Sequence, residues 1–252
     1  MLELSLFTTI LLIVTAFVAG FISSMAGAGG LITLPVLLWA GLPPLYALGT
    51  NKVQSTVGTL VSTLNFFRSG YLRPSEIILA LLMTLSGSAV GTALVQQLSN
   101  EVLTRLIPVL LIAIALYFVF SPRAGDTDSE PGRFSVGIFT WLVAPIMGFY
   151  GGFFGPGTGS ILPFLFVSLC GYNLRKATAH TKAMVLTING VSACLFAFGG
   201  HVLWVLALMM AMAQMVGAFL GSSLVISRGA SMVQPVIVVV TVALSIKLLL
   251  FP

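Results

Sequence analysis

Two lysines stand inside apolar stretches of this chain, Lys52 in "ALGTNKVQ" and Lys182 in "ATAHTKAM". An ionised amine within a membrane-length apolar segment costs about 2.5 kcal/mol or more, and such a residue marks a functional position by default. The ordinary remedy is a carboxylate within reach. Here Glu3, Glu76, Glu101, Asp126, Asp128 and Glu130 all fall at segment ends or in a polar stretch. That absence excludes a simple cation pathway and a proton or sodium site built on membrane carboxylates. Two chemistries remain for the amines: holding an anionic ligand, or losing the proton through desolvation.

Hydrogen-bonding residues accompany each lysine, Thr50, Asn51 and Gln54 in one stretch and His180 and Thr181 in the other. His180, two residues before Lys182, is the natural proton carrier if protons are moved, because an unperturbed imidazole titrates near neutrality. Asn65 and Asn189 fit helix-to-helix hydrogen bonds, and His201 reads as an exposed loop residue. Arg175-Lys176 reads as a topology signal, and Lys247 as a cation reaching for the interface.

Ahead of each lysine the chain breaks at glycines, Gly27-Ala28-Gly29-Gly30 in the first case and Gly155-Pro156-Gly157-Thr158-Gly159 in the second. Glycine lets the backbone take left-handed conformations and approach a ligand closely. A helix starting after such a break presents free N–H groups and the positive end of its dipole, which favours an anion. Neither cluster has the Gly-Lys-Ser/Thr continuation of a phosphate loop or a strand for a dinucleotide turn. Gly87, Gly91, Gly217 and Gly221 read instead as close-packing positions between helices.

These residues sit in a chain of 252 residues that is 58% hydrophobic and 7% charged, with a mean hydropathy of +1.11. Soluble domains carry roughly 25% charged residues, so this is an integral membrane protein, and its long continuous apolar segments predict helices rather than a barrel. The N-terminus, Met1-Leu2-Glu3, lacks the basic region of a cleaved signal, so the first apolar segment is expected to be retained. The net charge of +5 comes without a basic run, so no nucleic-acid partner is expected. Cys170 and Cys194 lack metal-type spacing and read as small core residues, and no metal or other cofactor is expected.

The lysines and the breaks recur because the chain repeats itself. An offset of 128 places Gly20, Gly27, Gly29 and Pro35 on Gly148, Gly155, Gly157 and Pro163. After a two-residue gain, an offset of 130 places Ala47, Lys52, Gly70, Gly87 and Gly91 on Ala177, Lys182, Gly200, Gly217 and Gly221. Residues 1–120 and 135–252 form two repeats, joined by a polar cytoplasmic linker at 121–134. Each holds five apolar segments, about 5–26, 30–41, 46–67, 77–97 and 103–120, then about 135–154, 159–170, 177–198, 203–223 and 232–251. The second of each five has only about a dozen residues, about 18 Å of helix, too short to cross a core that needs roughly 20.

If each opening pair of segments returns the chain to its starting side, Arg68, Arg73, Arg123, Arg133, Arg175, Lys176 and Arg228 share one side and only Arg105 takes the other. Positive charge collects on the cytoplasmic side, so the expected architecture is an all-α polytopic membrane protein of two inverted-topology repeats. The second segment of each is short and broken or re-entrant, and both termini are periplasmic. Broken helices from inverted repeats meet near mid-membrane in secondary transporters, where they form the binding site.

The stretches "GFISSMAGAGGLITLPVLLWAGLPPLYALGTNK" and "GFYGGFFGPGTGSILPFLFVSLCGYNLRKATAHTK" resemble the sulfite exporter family TauE/SafE, and the likeness covers nearly the whole chain. The Asn-Lys and His-Thr-Lys endings look like one branch of that family, since a Thr-Ser often occupies the first position elsewhere in it. The resemblance implies a small bacterial inner-membrane transporter of sulfite, sulfonates or related organosulfur anions, with import and export both represented. The anion is read from the residues; sulfur comes from the resemblance.

The expectation is therefore a secondary transporter with an alternating-access, mid-membrane anion site. Its substrate-binding residues are Gly27, Ala28, Gly29, Gly30, Asn51, Lys52, Gln54, Gly155, Pro156, Gly157, Thr158, Gly159, His180 and Lys182. The expected partners are a small anionic substrate and the lipid bilayer, with a homodimer left open. Two other classes stay open at this stage. One is a membrane enzyme of sulfur or acyl transfer using Cys170 or Cys194 as nucleophile and His180 as base; the other is a passive anion channel.

Overall fold

The computed structural model describes residues 5–120 and 133–228. The expected segment at 232–251 with Lys247, and most of the linker, lie outside the described residues. The first half comprises α1 (Leu6–Ala26), α2 (Gly29–Trp39), α3 (Pro44–Arg68), α4 (Pro74–Val95) and α5 (Asn100–Phe120). The second begins with α6 (Arg133–Ile138), which passes through a π-helical turn at Phe139–Val143 into α7 (Ala144–Phe153). It continues with α8 (Thr158–Cys170), α9 (Leu174–Phe198) and α10 (Trp204–Arg228). No strand occurs among the described residues.

Several helices begin up to three residues before the apolar runs that announced them. Their starts are set by capping chemistry rather than by hydropathy. Pro44 and Pro74 occupy first-turn positions where a missing N–H costs nothing. The Asn173 side chain accepts from the Lys176 amide at 2.8 Å to start α9. Ser5 caps α1 in the same manner through the Thr8 amide.

Among the described residues, five helices are long and apolar enough to cross a membrane, at Leu6–Ala26, Ser75–Val95, Val136–Phe153, Leu174–Phe198 and Trp204–Arg228. The helix α3 has the length, 25 residues, but Thr50, Asn51, Lys52 and Gln54 on it are buried inside the protein rather than turned to lipid. With 11 and 13 residues, α2 and α8 reach only about 17 and 20 Å at 1.5 Å per residue.

Helix pairing follows the repeat. The backbone of Gly217 lies against the Phe17 carbonyl and that of Gly221 against Phe21, so α10 runs alongside α1 at main-chain distance. The counterpart positions do the same, with Gly87 against the Pro145 carbonyl and Gly91 against Phe149, joining α4 to α7. Hydroxyls add cross-links of the kind that hold membrane helices together. Thr92 donates to the Gly152 carbonyl at 3.1 Å, and Asn65 donates to Ser222 and Ser223 at 2.8 and 3.0 Å. The expected interhelical role of Asn65 is thus realised.

The connecting turns gather into two groups. Arg175 donates to the Tyr71 hydroxyl at 2.6 Å and Lys176 pairs with Glu76 at 2.8 Å, so the α3–α4 and α8–α9 turns lie together. The expected topology residues Arg175 and Lys176 therefore also hold these turns to each other. In the other group, Leu203 N donates to Thr50 at 3.1 Å and Leu45 N to Asn100 at 3.3 Å, joining the turns before α3, α5 and α10. His201 belongs to this group and is half-buried rather than exposed, 3.3 Å from Gln96 Oε1 and edge-on to Tyr46 and Phe196. Of the two cysteines, Cys170 is in the core as expected, whereas Cys194 is exposed because it falls on the outward side of α9.

The pairing predicts opposite outcomes for two glycines. Gly221→Ala places a methyl against the Phe21 backbone and should destabilise by about 1–3 kcal/mol. Gly190→Ala, in α9 with nothing within 4 Å, should be neutral or stabilising by up to about 1 kcal/mol. Thermal unfolding of the two variants in detergent checks the contrast.

Candidate functional site

The two helix breaks meet each other inside the protein. Gly27 ends α1 in the left-handed conformation at φ 74°, returning its N–H to the Ser23 carbonyl at 2.8 Å. In the second half α7 stops at Phe153, and Gly155 and Gly157, at φ 102° and 86°, flank Pro156 before α8 starts. The Tyr150 hydroxyl donates to the Pro156 carbonyl and holds this wider break in shape. A Cβ on Gly159 would stand 2.8 Å from the Gly27 Cα, and one on Gly27 would run into the Gly159 carbonyl. The contact is main chain on main chain, and Ser160 fastens it by donating to the Ala26 carbonyl.

Each lysine crosses to the other half. Lys52 donates through its Nζ to the Gly151 carbonyl, and Lys182 donates through its own to the Ser23 carbonyl. Residues 23 and 151 are themselves related by the 128-residue offset, so the two bonds are one contact made twice. Both acceptors lie in the last turn of a broken helix, at the negative end of its dipole, and the Ser23 carbonyl also accepts the Gly27 N–H. Both lysines are buried, at 1% and 2% exposure, so neither snorkels. Among the described residues neither has a carboxylate within ion-pair distance.

The two positions differ in what else they face. Lys52 lines a small, partly open cleft, whereas Lys182 does not. Expected site residues that share the cleft are Gly27, Gly30, Asn51, Gly155, Pro156, Gly157, Thr158 and Gly159. Thr33 and Gln54 donate to the Asn51 carbonyl oxygen at 2.6 and 2.9 Å, which leaves the Asn51 amino group as a donor beside the cleft. The amides of Gly30, Gly157 and Gly159 take no backbone carbonyl among the described residues. Lys52, Asn51 and the Gly30, Gly157 and Gly159 amides thus offer donors among the residues that line the cleft, which suits an oxyanion.

Besides Lys182, four expected residues stand apart from the cleft lining. Ala28 and Gly29 form the start of α2, Gly29 against Ser23 and Ala19. Gln54 is fully buried behind Asn51 and positions it. His180 sits in an aromatic pocket beside Glu76, Phe166 and Tyr172.

Conversely, the cleft includes Ser23, Ser55, Thr59, Val185, Ile188 and Asn189, none of them expected there. Helical spacing carried the signal, since Ser55 and Thr59 follow Lys52 by three and seven residues and so share its face. Asn189, read as a helix-to-helix bonder, follows Lys182 by the same seven and faces the cleft instead.

The family description "Sulfite exporter TauE/SafE" matches residues 12–248. The chain belongs to the TauE/SafE family. A "Probable membrane transporter protein" of Haemophilus influenzae is 42% identical over 238 residues, covering 94% of this chain and 93% of its own. "Probable membrane transporter protein ORF9" of Sinorhizobium sp is 44% identical over 241 residues, 96% and 92% of the two chains. "Probable membrane transporter protein YfcA" of Escherichia coli K12 is 42% identical over 234 residues, 93% and 87%. No solved structure matches the chain. This TauE/SafE protein is a multi-pass membrane protein of a transporter family.

The contact between the breaks yields a second glycine test. Gly27→Ala adds a methyl to a left-handed residue pressed on Gly159 and should lower stability by more than about 2 kcal/mol. Gly30→Ala, 3.3 Å from the Pro156 Cα, should lower it by less than about 1 kcal/mol. Unfolding midpoints of both variants, purified in parallel, decide the order.

Proposed function

We propose that this chain is a secondary transporter of a small sulfur oxyanion, sulfite or a short organosulfonate, and not an enzyme. One observation carries the reading: a fully buried ammonium without a carboxylate opens onto a cleft whose lining offers donors. An anion entering the cleft would gain the Lys52 charge, the Asn51 amino group and the unpaired amides at the start of α8. Sulfur as the central atom is supported by the family description "Sulfite exporter TauE/SafE". In this reading Lys182 braces the break of α1 while Lys52 meets the substrate.

Alternating access would exchange the two roles. The crossed lysine bonds and the paired glycine seams support two repeats related by a two-fold axis. The grouping of turns supports their inversion, because α3 and α9 run between the two groups in opposite senses. Arg68, Arg73, Arg175 and Lys176 gather at one end. With the positive-inside bias, that end is cytoplasmic and both termini are periplasmic, in the inner membrane of a bacterium.

The test is thermal unfolding of the detergent-purified protein against sulfite, thiosulfate, isethionate, taurine, sulfate and chloride, beside Lys52→Met and Lys182→Met. A ligand at a hundred times its dissociation constant adds about 2.7 kcal/mol to the folded state. One or two sulfur oxyanions should raise the midpoint, and Lys52→Met should abolish the shift. Lys182→Met should lower the baseline while keeping part of it. A panel without effect, or a shift that survives Lys52→Met, would sink the reading.

A further inference from the structure

A second set of ionisable groups joins the halves away from the cleft. Three donor-bearing side chains converge on one oxygen, Glu76 Oε2, with Lys176 Nζ at 2.8 Å, the Tyr172 hydroxyl at 3.4 Å and His180 Nε2 at 3.7 Å. Glu76 stands in the first turn of α4, in the first half, whereas the other three belong to the α8–α9 turn and α9. The Glu76 side chain is 28% exposed and that of His180 0%, so the carboxylate meets the outside and the ring does not.

The hydrogen bonds of His180 fix its tautomer. Nδ1 lies 2.9 Å from the Lys176 carbonyl, which can only accept, so Nδ1 carries the hydrogen. In the neutral ring Nε2 then holds a lone pair, and this buried nitrogen has no hydrogen-bond partner. It faces a carboxylate. Lone pair against anion is repulsive, whereas one added proton turns the same pair into a charge-assisted N–H···O contact. The rings of Phe166 and Tyr172, centred 5.9 and 5.0 Å away, wall the imidazole in.

We propose that Glu76 and His180 together bind one proton, and that this proton closes the joint between α4 and α9. The site is separate from the anion cleft. Other charged and titratable groups around it have defined places. Lys176 competes for the same carboxylate oxygen, and Arg73 lies 3.7 Å from the other one. Arg175 is engaged with Tyr71, and the Cys170 thiol ends α8 behind Tyr172.

The equivalent joint at the opposite end is built without charge: Thr50 accepts from Leu203 N, and Tyr46 rests on His201. Among the described residues no carboxylate pairs with Tyr46, Thr50 or His201. The joint bears on α9, whose Lys182 holds the Ser23 carbonyl at the break of α1. The pair's part as a coupling-proton site rests on the transport reading above, but its titration does not.

The chain has two histidines, His180 and His201, so histidine-selective 15N labelling of the detergent-purified protein isolates the ring signals, and His201→Asn assigns them. The His180 ring should titrate, and Glu76→Gln should move its midpoint down by about one to three pH units, because the imidazolium loses its counter-anion. Lys176→Gln should move the midpoint up, because a competing cation leaves. Either variant decides the matter if the other fails to fold. A midpoint unmoved by the substitution, or a ring that stays neutral throughout the folded range, would overturn the proposal. If no anion binds or is transported, the transport reading falls while these shifts still decide this one.

Discussion

A buried ammonium with no carboxylate must be satisfied by something, and in this protein it is the main chain of the opposite half. Lys52 reaches the Gly151 carbonyl and Lys182 the Ser23 carbonyl, each in the last turn of a helix that a glycine break has cut short. The break after Phe153 leaves the Gly151 carbonyl without its helical N–H, whereas the Ser23 carbonyl is shared between Lys182 and the Gly27 N–H. The break and the lysine therefore depend on each other: one exposes an acceptor at the negative end of a dipole, the other supplies the charge that makes it tolerable in the interior. The close approach of Gly27 and Gly159 follows, because crossed bonds of this length bring the two breaks together where only hydrogen fits as a side chain.

The rest of the molecule holds that crossing in place. Glycine seams bring α1 to α10 and α4 to α7 at main-chain distance, leaving α3 and α9 inside with their polar residues. Apolar clusters lie at both ends, one containing Leu42, Leu45 and Val202 and the other Leu72, Phe166 and Leu174. Large apolar residues such as Ile78, Leu82, Val205 and Phe219 face outward, as expected where the solvent is hydrocarbon. Polarity is thus concentrated between two apolar caps, at the level of the breaks.

Within this near-symmetric frame the two halves are chemically unequal. The second break is wider, with two left-handed glycines around a proline, and only Lys52 opens onto the cleft. The turns before α3 and α10 are joined by neutral contacts, whereas Glu76, Lys176 and His180 join the opposite end. A repeat gives one architecture twice, while divergence of side chains gives its two ends different responses.

Much of this was legible in the sequence. The apolar segments, the two short helices, the repeat offsets and the packing role of Gly87, Gly91, Gly217 and Gly221 all follow from local composition and spacing, which fix helices and their lipid-facing length. The isolated charge at Lys52 and Lys182 was equally visible, because a missing carboxylate is a property of the whole sequence. The partners of those lysines were not. Backbone carbonyls carry no residue identity, so no pattern of letters announces that Gly151 and Ser23 are acceptors. Nor could spacing place His180 beside Glu76 rather than in the cleft, since the two are 104 residues apart. Which buried lysine meets the cleft, and which braces a helix, was decided only by how the two breaks pack. Two equivalent motifs pressed together at one point cannot both face the same space.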